Sequence, residues 1–241
     1  MTWLRSLAFN LAFYAWTALL CLFAMPFVIL LMKPVAVFTL GRFWARISLW
    51  LLRVLCRIDH QVVGLDALPG TPCIVAAKHQ SAWDTLVFSQ LLYNPSYVLK
   101  KELTQIPFFG WALLRVGMVP VDRSGGARAL RTMLAAAKRR LGEGRAILIF
   151  PEGTRTEPGR RRPYHPGVAA LYRELGVPVV PIALNSGLFW GRRSFVKTPG
   201  RITLEVLPAI APGLPRKAFM AELEARIEGA SERLAQAPAC G

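Results

Sequence analysis

The chain has 241 residues, 54% of them hydrophobic and 18% charged, with 30 Lys and Arg against 14 Asp and Glu for a net charge of +16. That length suits one domain of ordinary size with a further segment attached. A mean hydropathy of +0.37 is high for a freely soluble protein, while 18 prolines and so many charges argue against a polytopic bundle of spanning helices. The positive excess favours an anionic partner such as nucleic acid, phospholipid head groups or a phosphorylated substrate, without choosing among them.

The first predicted element is apolar. No charged residue lies between Arg5 and Lys33, and the uncharged stretch exceeds the roughly 20 residues that cross a hydrocarbon core. It lacks the short apolar region and A-x-A-like site of a cleaved signal, so it is expected to be retained. Pro26 and Pro34 allow a kink or a turn back to the same side, which leaves open a spanning segment or a half-buried hairpin. The second element, Gly41 to Ile58, is a helix whose Arg42, Arg46, Arg53 and Arg57 share about 60° of arc. Phe43, Trp44, Ile47, Leu49, Trp50, Leu51, Val54 and Leu55 occupy the other faces. A narrow basic stripe on a broad apolar helix suits the interface of an anionic membrane; a core helix with snorkelling arginines has the same pattern. Residues 1–58 are therefore read as a membrane-associated helical segment and 59–241 as an α/β domain.

From Asp59 onward, short apolar runs alternate with helical stretches. Cys73 to Ala77 is a buried strand ending at Lys78-His79, followed by a helix from Ser81 to Leu92 and a strand at Tyr97-Val98-Leu99. Ala127 to Leu141 is a basic amphipathic helix, and Ala146 to Phe150 is the clearest strand, stopped by Pro151. Strands at Val179–Leu184 and Ile202–Leu207 follow, and Phe219, Leu223, Ile227, Ala230 and Leu234 mark a closing amphipathic helix. The tail after Gln236 is expected to fray. Strands interleaved with helices predict an α/β fold, with a mainly parallel sheet flanked by helices and the membrane-docking helices in front of it.

The four cysteines (Cys21, Cys56, Cys73 and Cys240) show no CxxC and no zinc spacing, which favours reduced thiols and a cytoplasmic face. The three histidines are dispersed, so no metal site is expected. In open α/β sheets ligands sit beyond the carboxyl ends of strands. Three polar clusters fall there: Lys78-His79 with Asp84, Val121-Asp122-Arg123, and Pro151-Glu152-Gly153-Thr154-Arg155.

His79 and Asp84 lie five residues apart, about 140° around a straight helix, and would not meet on one. With His79 on the turn entering the helix, the carboxylate reaches back to one ring nitrogen, and the other nitrogen is left to accept a hydroxyl proton. A capping Asp and a surface His give the same spacing. What distinguishes the pair is its company. Together with Phe150-Pro151-Glu152-Gly153-Thr154-Arg155 downstream, it resembles the glycerolipid acyltransferase family, the lysophosphatidate acyltransferases. Gly117 to Arg123 resembles that family's second motif, and Val177 to Ala183 its fourth. The resemblance covers roughly Asp59 to Leu207.

The resemblance implies transfer of a fatty acyl group from a thioester, acyl-CoA or an acyl carrier protein, to the free hydroxyl of a lysolipid. The acceptor it implies is 1-acyl-sn-glycerol 3-phosphate (lysophosphatidate), giving phosphatidic acid in phospholipid biosynthesis, with another lysophospholipid or a lyso-ornithine lipid as the alternative. It implies His79 and Asp84 as the catalytic pair, and a bilayer surface at the cytoplasmic membrane with the catalytic domain on its cytoplasmic side. No cofactor beyond the thioester co-substrate is expected. Arg123 and Arg155 offer planar forks for a phosphate, with Lys100 as a further point charge. Gly153 allows close backbone approach, and Thr154 can bond phosphate or brace the loop. Glu152 is a substrate-site candidate or half of a structural ion pair. Two positions depart from the family pattern: Lys78, where Asn is frequent before the histidine, and His165-Pro166-Gly167, where a lysine-rich segment is frequent. The run Arg160-Arg161-Arg162 reads as solvated charge or as an attractor for an anionic surface. No G-x-S-x-G elbow is present, which argues against a covalent acyl-serine. A non-enzymatic basic membrane-binding protein is the other reading. No recognised nucleic-acid motif accompanies the charge, and no nucleic-acid partner is expected.

Overall fold

The computed structural model describes residues 1–70 and 72–236; the tail expected to fray after Gln236 lies outside the described residues. Helix α1 (Thr2–Leu19) passes through a π-turn at Leu20–Ala24 into α2 (Met25–Leu31). Pro26 has no N–H to give the preceding turn and its ring crowds the carbonyl there, a mismatch that a wider turn absorbs. The chain then reverses at Met32–Lys33 into α3 (Pro34–Cys56). Trp44 Nε1–H donates to Thr17 Oγ1 at 3.0 Å, and Cys56 Sγ lies 3.8 Å from the Arg5 carbonyl, so α1 and α3 form an antiparallel hairpin. Both stretches are long and apolar enough to cross a membrane by length and composition.

Seven strands follow: β1 (Ile58–Val63), β2 (Ile74–Ala77), β3 (Ser96–Lys100), β4 (Val119–Val121), β5 (Ile147–Ile149), β6 (Val179–Leu184) and β7 (Gly200–Val206). Their order is β1-β7-β6-β2-β5-β3-β4, with every neighbouring pair parallel except β6 and β7. Five strands, β6 through β4, thus point the same way and end on one edge, while β7 and β1 run back beside them. The expected mainly parallel sheet is the one found.

Helices cover both faces: α4 (Trp83–Leu91), α5 (Phe109–Arg115), α6 (Gly126–Gly142), α7 (Gly167–Leu175) and α8 (Arg216–Gln236). Side chains alternate across a strand, and β2 shows what that requires of a central strand. Val75 and Ala77 pack with Leu52 of α3 and Phe88 of α4, whereas Ile74 and Ala76 pack with Met133 of α6, Leu171 of α7 and Phe219 of α8. A strand covered on both faces reads as an unbroken apolar run, which is why β2, β5 and β6 stand out in the sequence. The hairpin belongs to this packing. Phe9, Ala45, Leu52 and Cys56 sit in the same core as β2 and β6, so the core is continuous across position 58.

Candidate active site

The chain leaves β2 at Ala77, and Lys78 N–H still donates to Ile182 O of β6 at 2.9 Å. Residues 79–82 then turn into α4, placing Asp84 in its first turn, where exposed backbone N–H groups favour an anion. The carboxylate reaches back over that turn. Its Oδ2 accepts the N–H of Gln80 at 2.7 Å, the N–H of Ser81 at 2.8 Å and Nδ1–H of His79 at 2.9 Å. Its Oδ1 accepts the Ser186 hydroxyl at 2.5 Å, from the residue two beyond the end of β6. Asp84 is fully buried and accepts four hydrogen bonds, three at Oδ2 and one at Oδ1. An ionised carboxylate only accepts, so His79 carries its proton on Nδ1 and presents the Nε2 lone pair. The His79 side chain is 12% exposed.

The loop after β5 forms the other wall. Phe150 stacks on the His79 ring, centroids 4.0 Å apart and planes inclined by 18°. Glu152 Oε2 accepts the His79 N–H at 3.0 Å, and Thr156 N–H donates to the His79 carbonyl at 2.8 Å, so both backbone groups of His79 are held by this loop. Gly153 takes φ +65°, and a Cβ there would lie 2.6 Å from the His165 ring; only glycine meets both demands.

Lys78 resolves the first departure from the family pattern. It is 2% exposed and donates to Glu152 Oε1 at 2.7 Å and to both oxygens of Glu228, on α8, at 2.8 Å. Tyr164 O–H donates to Glu228 Oε1 at 2.8 Å, and burial pushes the Tyr164 hydroxyl far up, with the Glu228 charge adding to it. The Glu152 carboxylate is thus spent on Lys78 and the His79 backbone, the ion-pair alternative of the two raised for it.

Arg155 is half-buried beside the pair. Burial lowers its guanidinium pKa, the Asp84 charge raises it and Arg192 lowers it, and Arg192 Nη1–H donates to the Arg155 carbonyl at 3.4 Å. Thr154 lies on the same turn, partly exposed. Lys100 ends β3 and Arg123 lies two residues past β4 on the same edge, both exposed, with Lys100 Nζ 3.1 Å from Glu102. Strand spacing of about 4.8 Å puts Arg123 three strands, roughly 14 Å, along the edge from β2. The structure therefore joins His79, Asp84, Glu152, Gly153 and Arg155 in one cluster and sets Lys100 and Arg123 along its rim. Ser186, Thr156 and Arg192 complete the cluster without having been singled out in the sequence, and Phe150, part of the quoted hexapeptide, joins it by stacking on the His79 ring.

A family model described as Acyltransferase matches residues 59–185, over half of the chain. The chain belongs to this acyltransferase family. The matched segment holds every member of the cluster except Ser186 and Arg192. The acyltransferase is 40% identical to a 1-acyl-sn-glycerol-3-phosphate acyltransferase of Pseudomonas aeruginosa over 194 residues, covering 80% of this chain and 76% of the relative. It is 28% identical to the alpha 1-acyl-sn-glycerol-3-phosphate acyltransferase of Mus musculus over 208 residues, covering 84% and 72%. Its fold is that of the crystal structure of the 1-acyl-sn-glycerophosphate (LPA) acyltransferase PlsC from Thermotoga maritima, with a TM-score of 0.79 at 23% identity over 98% of both chains.

Proposed function

We propose that this acyltransferase moves a fatty acyl group from an acyl thioester to the free hydroxyl of 1-acyl-sn-glycerol 3-phosphate, forming phosphatidic acid. The observation that carries the mechanism is the 2.9 Å bond from His79 Nδ1 to a buried Asp84 that accepts four hydrogen bonds, which leaves Nε2 as a base. As the acceptor oxygen attacks the thioester carbonyl, Nε2 takes its proton. The tetrahedral adduct collapses, the C–S bond breaks, and the imidazolium returns the proton to the leaving thiolate. No acyl-enzyme forms, and the step needs no cofactor besides the co-substrate. Asp84 stabilises the imidazolium without being protonated.

Arg155 is the first holder of the acceptor phosphate, one strand from His79, with Arg123 and Lys100 as outer charges drawing the anion in. Gly153 and Thr154 give that phosphate backbone and hydroxyl contacts. Glu152 acts by positioning His79 rather than by touching substrate. The donor is acyl-CoA or acyl carrier protein, both cytoplasmic thioesters, which sets the catalytic domain on the cytoplasmic side of the inner membrane. The bilayer partner is met through the outward faces of the hairpin, where Leu11, Phe23, Phe27 and Leu30 are 60–77% exposed.

The test is detergent-purified enzyme offered both donors against lysophosphatidate, other lysophospholipids and lyso-ornithine lipid, with His79→Ala as the blank. Preference for lysophosphatidate supports the assignment; preference for an acceptor without a phosphomonoester would overturn it.

A further inference from the structure

Away from the catalytic edge, α3 and the turn at Tyr93-Asn94 that leads into β3 line an open cavity of ≈ 330 Å³. Arg42 and Arg46 stand in it one turn apart on α3, with Val35, Phe38, Phe43 and Tyr93 supplying apolar walls. No carboxylate lines it, and neither arginine has an ion-pair partner among the described residues. Like charges at this helical spacing repel unless an anion lies between them. The Arg42 guanidinium sits over the Phe38 ring at 5.9 Å, and Gln90 Nε2–H donates to the Arg42 carbonyl at 3.0 Å, tying the site to α4. Asn94 also borders the cavity, with its amide oxygen buried and unpartnered.

This is not the substrate site. Asn94 precedes β3 and Lys100 ends it, so the cavity and the catalytic edge lie at opposite ends of that strand, about 20 Å apart at the usual rise. We propose that the cavity binds the head group of an anionic phospholipid that is neither substrate nor product in transit, its phosphodiester between Arg42 and Arg46. Its first acyl carbons cover Val35 and Phe43, which are 65% and 47% exposed. A free phosphate would answer the charge and leave those walls bare; a zwitterionic lipid would cover the walls and answer the charge poorly. Two arginines beside a lipid surface favour anionic lipid. The bound lipid pins the far end of α3 to the bilayer and so fixes the tilt at which the catalytic edge meets it. The inference rests on the membrane reading above.

The test uses the full chain in a neutral detergent, followed by native mass spectrometry with short-chain phosphatidylglycerol, phosphatidylcholine or inorganic phosphate. One phosphatidylglycerol is expected per chain, undisplaced by phosphate, with affinity reduced about tenfold or more in R42Q/R46Q. R53Q/R57Q, with the same loss of charge at the other end of α3 and just beyond it, should keep it. Equal retention by the two variants, or displacement by inorganic phosphate, would overturn the site. Acylation of a soluble short-chain lysophosphatidate should be unchanged in R42Q/R46Q; its loss would mean that these arginines serve the substrate. Vesicle flotation separates the two levels of failure. If the wild-type chain does not float with anionic vesicles, the membrane reading fails; if it floats and R42Q/R46Q floats equally well, the site alone fails.

Discussion

The Ser186 hydroxyl donates to Asp84 Oδ1 at 2.5 Å, although the two residues are 102 positions apart in the chain. It fixes the oxygen that His79 does not use, so the carboxylate cannot rotate away from the imidazole. Ser186→Ala should lower kcat about tenfold or more, the usual range for a bond to a charged group, with acceptor KM little changed. Ser186→Thr, which keeps the hydroxyl, should recover part of the loss. An alanine variant with wild-type kcat would show that Asp84 needs no such brace.

Arg155 and Arg123 are expected to separate in acceptor kinetics. Arg155 is half-buried near Asp84, where solvent screens a phosphate contact poorly, whereas Arg123 is exposed on the rim. Arg155→Ala should raise the lysophosphatidate KM about 10- to 100-fold. Arg123→Ala should raise it only a few-fold, and more at low salt than at high salt. Initial rates at varied acceptor and fixed donor check this. A larger effect of either change on donor KM would reverse the assignment of the loop.

The buried cluster of Lys78, Glu152 and Glu228 sets one ammonium against two carboxylates behind the catalytic turn. Removing the cation alone leaves carboxylates buried and unpaired, a change that costs about 3–5 kcal/mol. Lys78→Met should therefore destabilise far more than Lys78→Met does in a Glu228→Leu background. Denaturant midpoints of the four proteins should give a coupling energy of about 2 kcal/mol. Additive losses would mean that the two side chains do not share a charge balance.

Much of this arrangement was legible in the sequence, and the division has physical causes. Central strands are covered on both faces, so β2 and β6 show as unbroken apolar runs. The edge strand β1 is half-exposed, and Asp59, His60 and Gln61 gave no such signal, so the strand went unread. His79 and Asp84 could be paired from spacing because their contact is local, made within one turn. Ser186 and Glu228 could not, since topology alone brings them to the turn, from 102 and 150 residues away. Lys78 was noticed only as an odd residue; its reason lies on α8. Arg123 and Lys100 were correctly put at strand ends, but a strand-end rule does not say how many strands away.

Inward and outward positions on α1 should respond oppositely. Phe9 is fully buried against Trp190, centroids 5.3 Å apart, while Leu11 is 64% exposed on the same helix. Phe9→Ala should cost about 3–5 kcal/mol of stability, seen as a lowered Tm in detergent. Leu11→Asn should leave Tm nearly unchanged and weaken vesicle binding. The same continuous core means that deleting the first 58 residues would damage the fold, and point variants are the cleaner test of membrane contact.

The most direct measurement is single-turnover formation of phosphatidic acid by His79→Gln at saturating donor and acceptor, alongside its Tm. A proton-transfer base contributes roughly 10²–10⁴-fold, so the rate should fall at least 100-fold while the fold persists and no acyl group becomes attached to the protein. A rate within tenfold of wild type, or an acyl-enzyme trapped on a serine or cysteine, would contradict His79 as the base in direct transfer.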